Sequence, residues 1–285
     1  MTYELVISGG DSFTFGAELS MDMKDDFNPH PNSWANLVAQ RIGKQHINVA
    51  RSGRSNSYIV RHVMHEIQCA MQAGIDPKRI FVQVMWTFAD RHEFAISFPT
   101  GEYDSPWMFF TPYTHVDETQ SDWFKSVSKS LSSWQGVQDN LKKVYNKNKS
   151  LGIVDFYQQY QKLIQTSTLN DSYTSFKEVL LLQNTLKLYN IPYLFTYVNQ
   201  HVMHGLFEDS SSGPGSKYLN SMRSLNHEEN WYTFPGKFQK YVGFDDWAKH
   251  NEYEYATSHP LAEAHEAAAE LIYKHLESKD YLHEE

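Results

Sequence analysis

The chain has 285 residues, 41% hydrophobic and 15% aromatic, which is enough apolar surface for one large core and too much for a disordered chain. Its 25 Lys and Arg against 34 Asp and Glu leave a formal charge of −9, which argues against a non-specific nucleic-acid binder with a broad basic face. A single cysteine, Cys69, excludes an intrachain disulfide. No run reaches transmembrane length and Glu4 interrupts the only early apolar stretch, so no membrane partner and no secretory signal are expected.

In chain order, Tyr3–Ser8 reads as a buried strand that stops at Gly9-Gly10. Asn32–Ile42 reads as a helix capped by Asn32 or Ser33, with Trp34, Leu37, Val38 and Ile42 on one face. His46–Ala50 is a short second strand. Asn56–Ala73 carries Ile59, Val63, Ile67 and Ala70 at helical spacing, and Cys69 on this segment reads as core. Arg79–Trp86 is apolar nearly throughout, as a central parallel strand should be. Phe176–Tyr189 is a helix, Ile191–Val198 another buried strand, and Pro260–His275 a last helix. This alternation predicts an α/β fold with a doubly wound, mainly parallel sheet.

Two regions break the alternation, so the chain reads as one domain over 1–285 with insertions at 94–175 and 201–244. Phe94–Gln120 is aromatic and loop-like, with Phe98, Tyr103, Trp107, Phe109, Phe110 and Tyr113 among Pro and Gly. Ser121–Tyr189 is polar and helical and reads as packing or oligomerisation surface. His201–Phe244 holds Ser210–Ser216 (SSSGPGS), then Trp231, Tyr232, Phe234 and Phe238. Long irregular segments are often lids, and their aromatics are expected to flank the cleft, either as packing or as a platform for a sugar. The sequence HVMH occurs twice, at His62–His65 and His201–His204, with no third metal ligand at a supporting spacing.

A serine nucleophile needs a base for its proton and donors for the oxyanion it creates, and an open parallel sheet gathers such groups beyond the carboxyl ends of its strands. Ser12 follows the first strand, Asn48–Asn56 with its Gly53 follows the second, and Thr87–Arg91 follows the third. Ser258-His259-Pro260 precedes the last helix. No Walker lysine and no Gly-x-Gly-x-x-Gly accompany the first turn, so a nucleotide site has no support.

Gly10-Asp11-Ser12 at the first strand end, Asn48-x-Ala50-x-x-Gly53 at the second, and a late His259-Pro260 before an Ala-rich helix resemble the SGNH (GDSL-type) hydrolases over roughly residues 3–92 and 176–277. The Met85–Arg91 strand end and the aromatic insertions look most like uncharacterised SGNH-like proteins of tailed phages and marine bacteria. The resemblance implies a three-layer α/β/α sandwich of flavodoxin-like type. It also implies a serine ester hydrolase, of esterase or carbohydrate deacetylase type, with no metal or organic cofactor. Ser12 would be the nucleophile and His259 the base. The N–H groups of Ser12 and Gly53, with Thr87 as a third donor, would form the oxyanion site, and Asp11 would organise it. His265 matches a helix position that often follows the catalytic histidine.

Two positions depart from the family. Its third block carries an Asn that donates to the oxyanion, and here the strand end has Thr87. Its acid stands three residues before the histidine, and here that residue is Ala256, leaving Asp245, Asp246, Glu254 or a backbone carbonyl as the candidate partner of His259. A lost oxyanion donor costs about 10²–10³ in rate and a lost orienting acid about 10⁴. The alternative is therefore an SGNH-fold binding or structural module with weakened catalysis, such as a component of a phage particle. The expected location is cytoplasm, or host cytoplasm or a virion if phage-encoded.

Overall fold

The computed structural model describes residues 3–19, 28–95, 107–110, 142–143, 145–147, 149–160, 162, 168–199, 216–236, 241–279 and 281–282. In chain order its elements are β1 (Tyr3–Gly9), α1 (Ser12–Phe15), α2 (Trp34–Ile42), β2 (Gly43–Asn48), α3 (Asn56–Gln72), β3 (Ile80–Trp86), β4 (His92–Ala95) and β5 (Trp107–Phe110). Then follow α4 (Ile153–Tyr160), α5 (Thr168–Leu188), β6 (Tyr193–Tyr197), α6 (Ser216–Arg223), α7 (Phe244–His250) and α8 (Ala262–Ser278). The chain divides into two compact units, Met1–Ala89 with Ser172–Glu285, and Asp90–Asp171.

The first unit is built on a four-stranded sheet in the order β2-β1-β3-β6, every pair parallel. Side chains alternate across it with the two-residue period of a strand. Leu5, Ile7, Ile80, Val82, Val84, Phe195 and Tyr197 face α3 and α5, where Ile59, Val63, Ile67, Phe176 and Leu186 meet them. Val6, Phe81, Met85, Leu194 and Val198 face α2, α7 and α8 through Trp34, Val38, Trp247, Ala268 and Ile272. The result is an α/β/α sandwich, and β3 is buried along its whole length because it carries apolar residues toward both layers.

One polar set lies inside that packing. Gln83 donates through Nε2 to Ser8 Oγ at 2.7 Å and to the Ala35 carbonyl at 2.8 Å, and Ser8 Oγ meets His46 Nε2 at 2.7 Å. Burial pushes the His46 imidazole down to about 4, so it stays neutral.

Several boundaries differ from the sequence reading for physical reasons. β2 begins at Gly43 because Lys44 and Gln45 are exposed on an edge strand and give no apolar signal. α8 begins at Ala262 because Pro260 is held in a bridge with Tyr255. Cys69 is exposed rather than core: it lies beside the buried stripe of α3, with its Sγ 3.7 Å from His65 Nε2.

The second unit contains two strands where an aromatic loop is expected, since β4 and β5 pair antiparallel with His92 opposite Phe110. Phe94 packs edge-on to Tyr160 and Phe156 of α4, beside the buried Tyr157. His92 Nε2 lies 3.0 Å from Asp171 Oδ1, both buried. Phe98, Tyr103, Tyr113, Trp123 and the second HVMH fall outside the described residues.

Candidate active site

The strand β1 delivers Ser12 through the turn Gly10-Asp11. Asp11, fully buried, accepts the Phe13 N–H on Oδ1 at 3.0 Å and the Thr87 hydroxyl on Oδ2 at 2.5 Å. Thr87 is gripped in turn by Asn56 at the start of α3. Asn56 Oδ1 accepts the Thr87 N–H at 3.0 Å, and its Nδ2 donates to the Thr87 carbonyl at 3.1 Å and to Ser175 Oγ at 3.1 Å. A continuous buried chain thus runs from α3 through the end of β3 to the serine turn. Asp11 ties the turn after β1 to the end of β3. The Thr87 hydroxyl, expected as a third oxyanion donor, directs its proton at Asp11 in this structure.

Gly10 is needed because a Cβ there would lie 2.0 Å from Thr14 Oγ1 and 2.4 Å from Thr14 Cβ. Gly10→Ala is expected to destabilise the protein by about 1–3 kcal/mol, the usual cost of overpacking a tight site, as measured by urea unfolding. An unchanged unfolding midpoint would show that the turn relaxes freely.

The β2 loop sits against this turn. Asn48 accepts the Ala50 N–H at 3.0 Å and donates to Asn36 Oδ1 at 3.0 Å and the Thr14 carbonyl at 3.4 Å, while the Arg51 N–H reaches the Gly10 carbonyl at 3.4 Å. Gly53 has φ +72° and open space where a Cβ would stand, the left-handed conformation that favours glycine. Among the described residues no acceptor takes the Ser12 N–H or the Gly53 N–H, nor does the Ser12 hydroxyl have a partner.

His259 is presented by a turn closed by the Tyr255–Pro260 bridge and the Ala256 N–H to His259 carbonyl bond at 3.0 Å. Its ring rests on Phe13, the residue after Ser12, with centroids 4.7 Å apart. Its Nδ1 lies 3.1 Å from Glu18 Oε2 and 3.0 Å from Ser258 Oγ. The same carboxylate oxygen accepts the N–H groups of Thr257 at 3.1 Å, Ser258 at 2.9 Å and His259 at 3.0 Å. Burial raises the Glu18 carboxyl, but the bonds from His259 and Ser258 outweigh it and hold the group at about 2. Glu18 itself has φ 66°.

None of the carboxylates expected near His259 bonds to it among the described residues. Asp245 accepts from Lys249 Nζ at 2.7 Å and from the Tyr255 hydroxyl at 3.0 Å. Asp246 Oδ2 caps the Gly243 N–H at 3.4 Å, and Glu254 is exposed, its carbonyl taking the Leu261 N–H at 2.8 Å. Glu18 was not legible as a partner: it lies 241 residues from His259, in a loop with no motif around it. His265 is buried and its Nδ1 accepts the Trp34 N–H at 3.1 Å, which closes the first turn of α2 where the cap residue Ser33 makes no side-chain bond. Arg91 belongs to the second unit.

The expected aromatic platform dissolves on this side. Trp231 packs on Phe195 and Tyr197, and Phe234 on Phe244 and Trp247, so with Tyr232 they fill the two cores; Phe238 lies outside the described residues. His62 of the first HVMH stacks on Tyr58. Among the described residues no group of three or more His, Cys, Asp and Glu is arranged to hold a metal ion, and no helix is long and apolar enough to cross a membrane.

Fold and site together define a doubly wound α/β protein that gathers a serine, a histidine and a carboxylate beyond the carboxyl edge of its sheet. No protein-family profile matches the sequence, and no curated protein does. Among solved structures it is similar to phospholipase A1 from Streptomyces albidoflavus NA297, at 10% identity and a TM-score of 0.33 over 98% of this chain and 100% of that one. It is also similar to a member of the lipolytic protein G-D-S-L family from Veillonella parvula DSM 2008, at 12% identity and a TM-score of 0.22 over 78% of this chain and 95% of that one. Superposition at these scores is loose, and what this chain does has to be read from its own residues.

Proposed function

We propose that the protein is a serine hydrolase of carboxylic esters, with Ser12 as nucleophile and His259 as base. The observation that carries this is the His259 ring seated on Phe13, the residue after Ser12, with Nδ1 occupied by a carboxylate and Nε2 without a hydrogen-bond partner among the described residues. Ser12 Oγ attacks the acyl carbon as its proton passes to Nε2, and the oxyanion forms against the Ser12 and Gly53 N–H groups. The imidazolium then protonates the leaving alkoxide, giving an acyl-serine and a free alcohol. Water attacks that acyl group with the same histidine as base, releasing the acid and restoring Ser12. The sugar preference suggested by the aromatic loops loses its support where Trp231, Tyr232 and Phe234 turn out to be core.

A second reading, a binding module with weakened catalysis, draws on the direction of the Thr87 hydroxyl and on the absence of a Ser12–His259 hydrogen bond among the described residues. Catalytic bonds are often loose without substrate, so this favours the module less than the assembled site favours the hydrolase. A fluorophosphonate probe with peptide mass mapping separates the two. Labelling confined to Ser12 supports the hydrolase. Silence at high probe concentration supports the module.

A further inference from the structure

We propose, resting on the Ser12–His259 reading, that Glu18 is the positioning carboxylate of this site, supplied from the nucleophile's own segment in place of an acid on the histidine segment. A neutral imidazole is a useful base only when its proton sits on the nitrogen facing away from the nucleophile. At His259 that nitrogen, Nδ1, has two oxygen neighbours that pull in different directions. Ser258 Oγ, 3.0 Å away, is able to donate to Nδ1 and would then leave the ring proton on Nε2, where it blocks catalysis. Glu18 Oε2, 3.1 Å away, only accepts when ionised and therefore demands the proton on Nδ1.

The surroundings keep Glu18 ionised and in place. Three successive backbone N–H groups, from Thr257 to His259, converge on Oε2 within 3.1 Å, an anion-holding concavity built by the very turn that presents the base. The backbone at Glu18 stands in the left-handed region at φ 66°, a conformation unfavourable for a non-glycine residue that persists where the surroundings impose it. A staple between two loops needs only the three backbone bonds. The fourth donor, the imidazole, is what gives the carboxylate a part in the chemistry. Because Glu18 lies six positions after Ser12 in the sequence and grips the 257–259 turn, it also fixes the distance between the nucleophile and base segments.

Glu18→Ala tests this. It removes the carboxylate oxygen that can only accept at Nδ1, and leaves Ser258 Oγ to donate there and hold the ring proton on Nε2. With a short-chain nitrophenyl ester, kcat is expected to fall about 10⁴-fold, the loss that follows when the orienting carboxylate of a triad is disabled, with KM little changed. Nitrogen chemical shifts of His259 in the wild-type protein supply a readout that needs neither substrate nor a variant. Above neutral pH, Nδ1 is expected to carry the proton there, and in folded Glu18→Ala Nε2 is. Ser258→Ala should leave the wild-type tautomer unchanged. A wild-type His259 protonated on Nε2, or a Glu18→Ala protein with wild-type kcat, overturns the proposal. A failure of the hydrolase reading itself looks different: Ser12 stays unlabelled and the wild-type protein has no esterase rate, while the tautomer still reports on Glu18.

Discussion

Ser12→Ala and His259→Ala are each expected to lower kcat for an activated ester by about 10⁴- to 10⁶-fold, and the double variant to be hardly worse than either. On the proposed mechanism the hydroxyl and the imidazole perform one step, so removing the second partner takes away little that the first had not already removed. What that mechanism leaves is the proposed oxyanion site of the Ser12 and Gly53 N–H groups, which neither substitution touches and which would continue to favour attack by water. Both variants should fold. The Ser12 side chain has no hydrogen bond to lose among the described residues, and without the His259 imidazole Glu18 keeps its three backbone donors. Steady-state kinetics with unfolding curves for all three variants make the check. If His259→Ala keeps its rate while Ser12→Ala loses it, another residue is the base. If neither change matters, the activity measured comes from elsewhere.

What the sequence made legible follows from where each signal is stored. The buried parallel strands were readable because a strand covered on both faces must be apolar at nearly every position, and β3 is. The turn at Ser12, the left-handed backbone at Gly53 and the His259-Pro260 approach to α8 were readable as places in the fold, because a strand-end turn, a glycine and a proline ahead of a helix leave local marks. Glu18 left none. Its partners are backbone N–H groups that any residues provide, and the imidazole it meets is distant in sequence. Thr87 was placed correctly at the strand end, but the direction of its hydroxyl depends on Asp11 and Asn56, which only the folded chain brings to it. The aromatics at 231–234 illustrate a different failure: a run bounded by Gly and Pro reads as a loop whether its rings face a cleft or, as here, close the ends of both cores.

Acid should unfold this protein early, with stability falling from about pH 6.5 downward, before most carboxylates titrate. Burial lowers His265 from the ordinary 6.5 to about 3, with the nearby His259 and His30 adding to the effect, and burial lowers His46 to about 4. Both are neutral in the folded chain, whereas in the unfolded chain they take up protons near 6.5. Between those values the unfolded state binds more protons, so stability is fully present above about 6.5 and is lost as pH falls toward 4 and then 3. Each group contributes up to about 1.4 kcal/mol per pH unit across its window, and two of them make several kcal/mol against a usual total of about 5–15. The two sites differ in how they fail. At His46 a protonated Nε2 still has an acceptor in Ser8 Oγ once that hydroxyl turns. At His265 a protonated Nδ1 would face the Trp34 N–H, donor against donor, at the first turn of α2 and in the middle of the packing against Phe244. Urea unfolding from pH 7.5 to 4.5 should therefore show a steep decline, and His265→Leu should change its shape. The variant loses about 1–3 kcal/mol at neutral pH, because the Trp34 N–H is left without its acceptor. It should also lose about one proton's share of the slope, so that the two curves converge near pH 5. A variant with the wild-type slope would remove His265 from this account and leave the other histidines lowered by burial, His46, His62 and His275, as the source of the acid sensitivity.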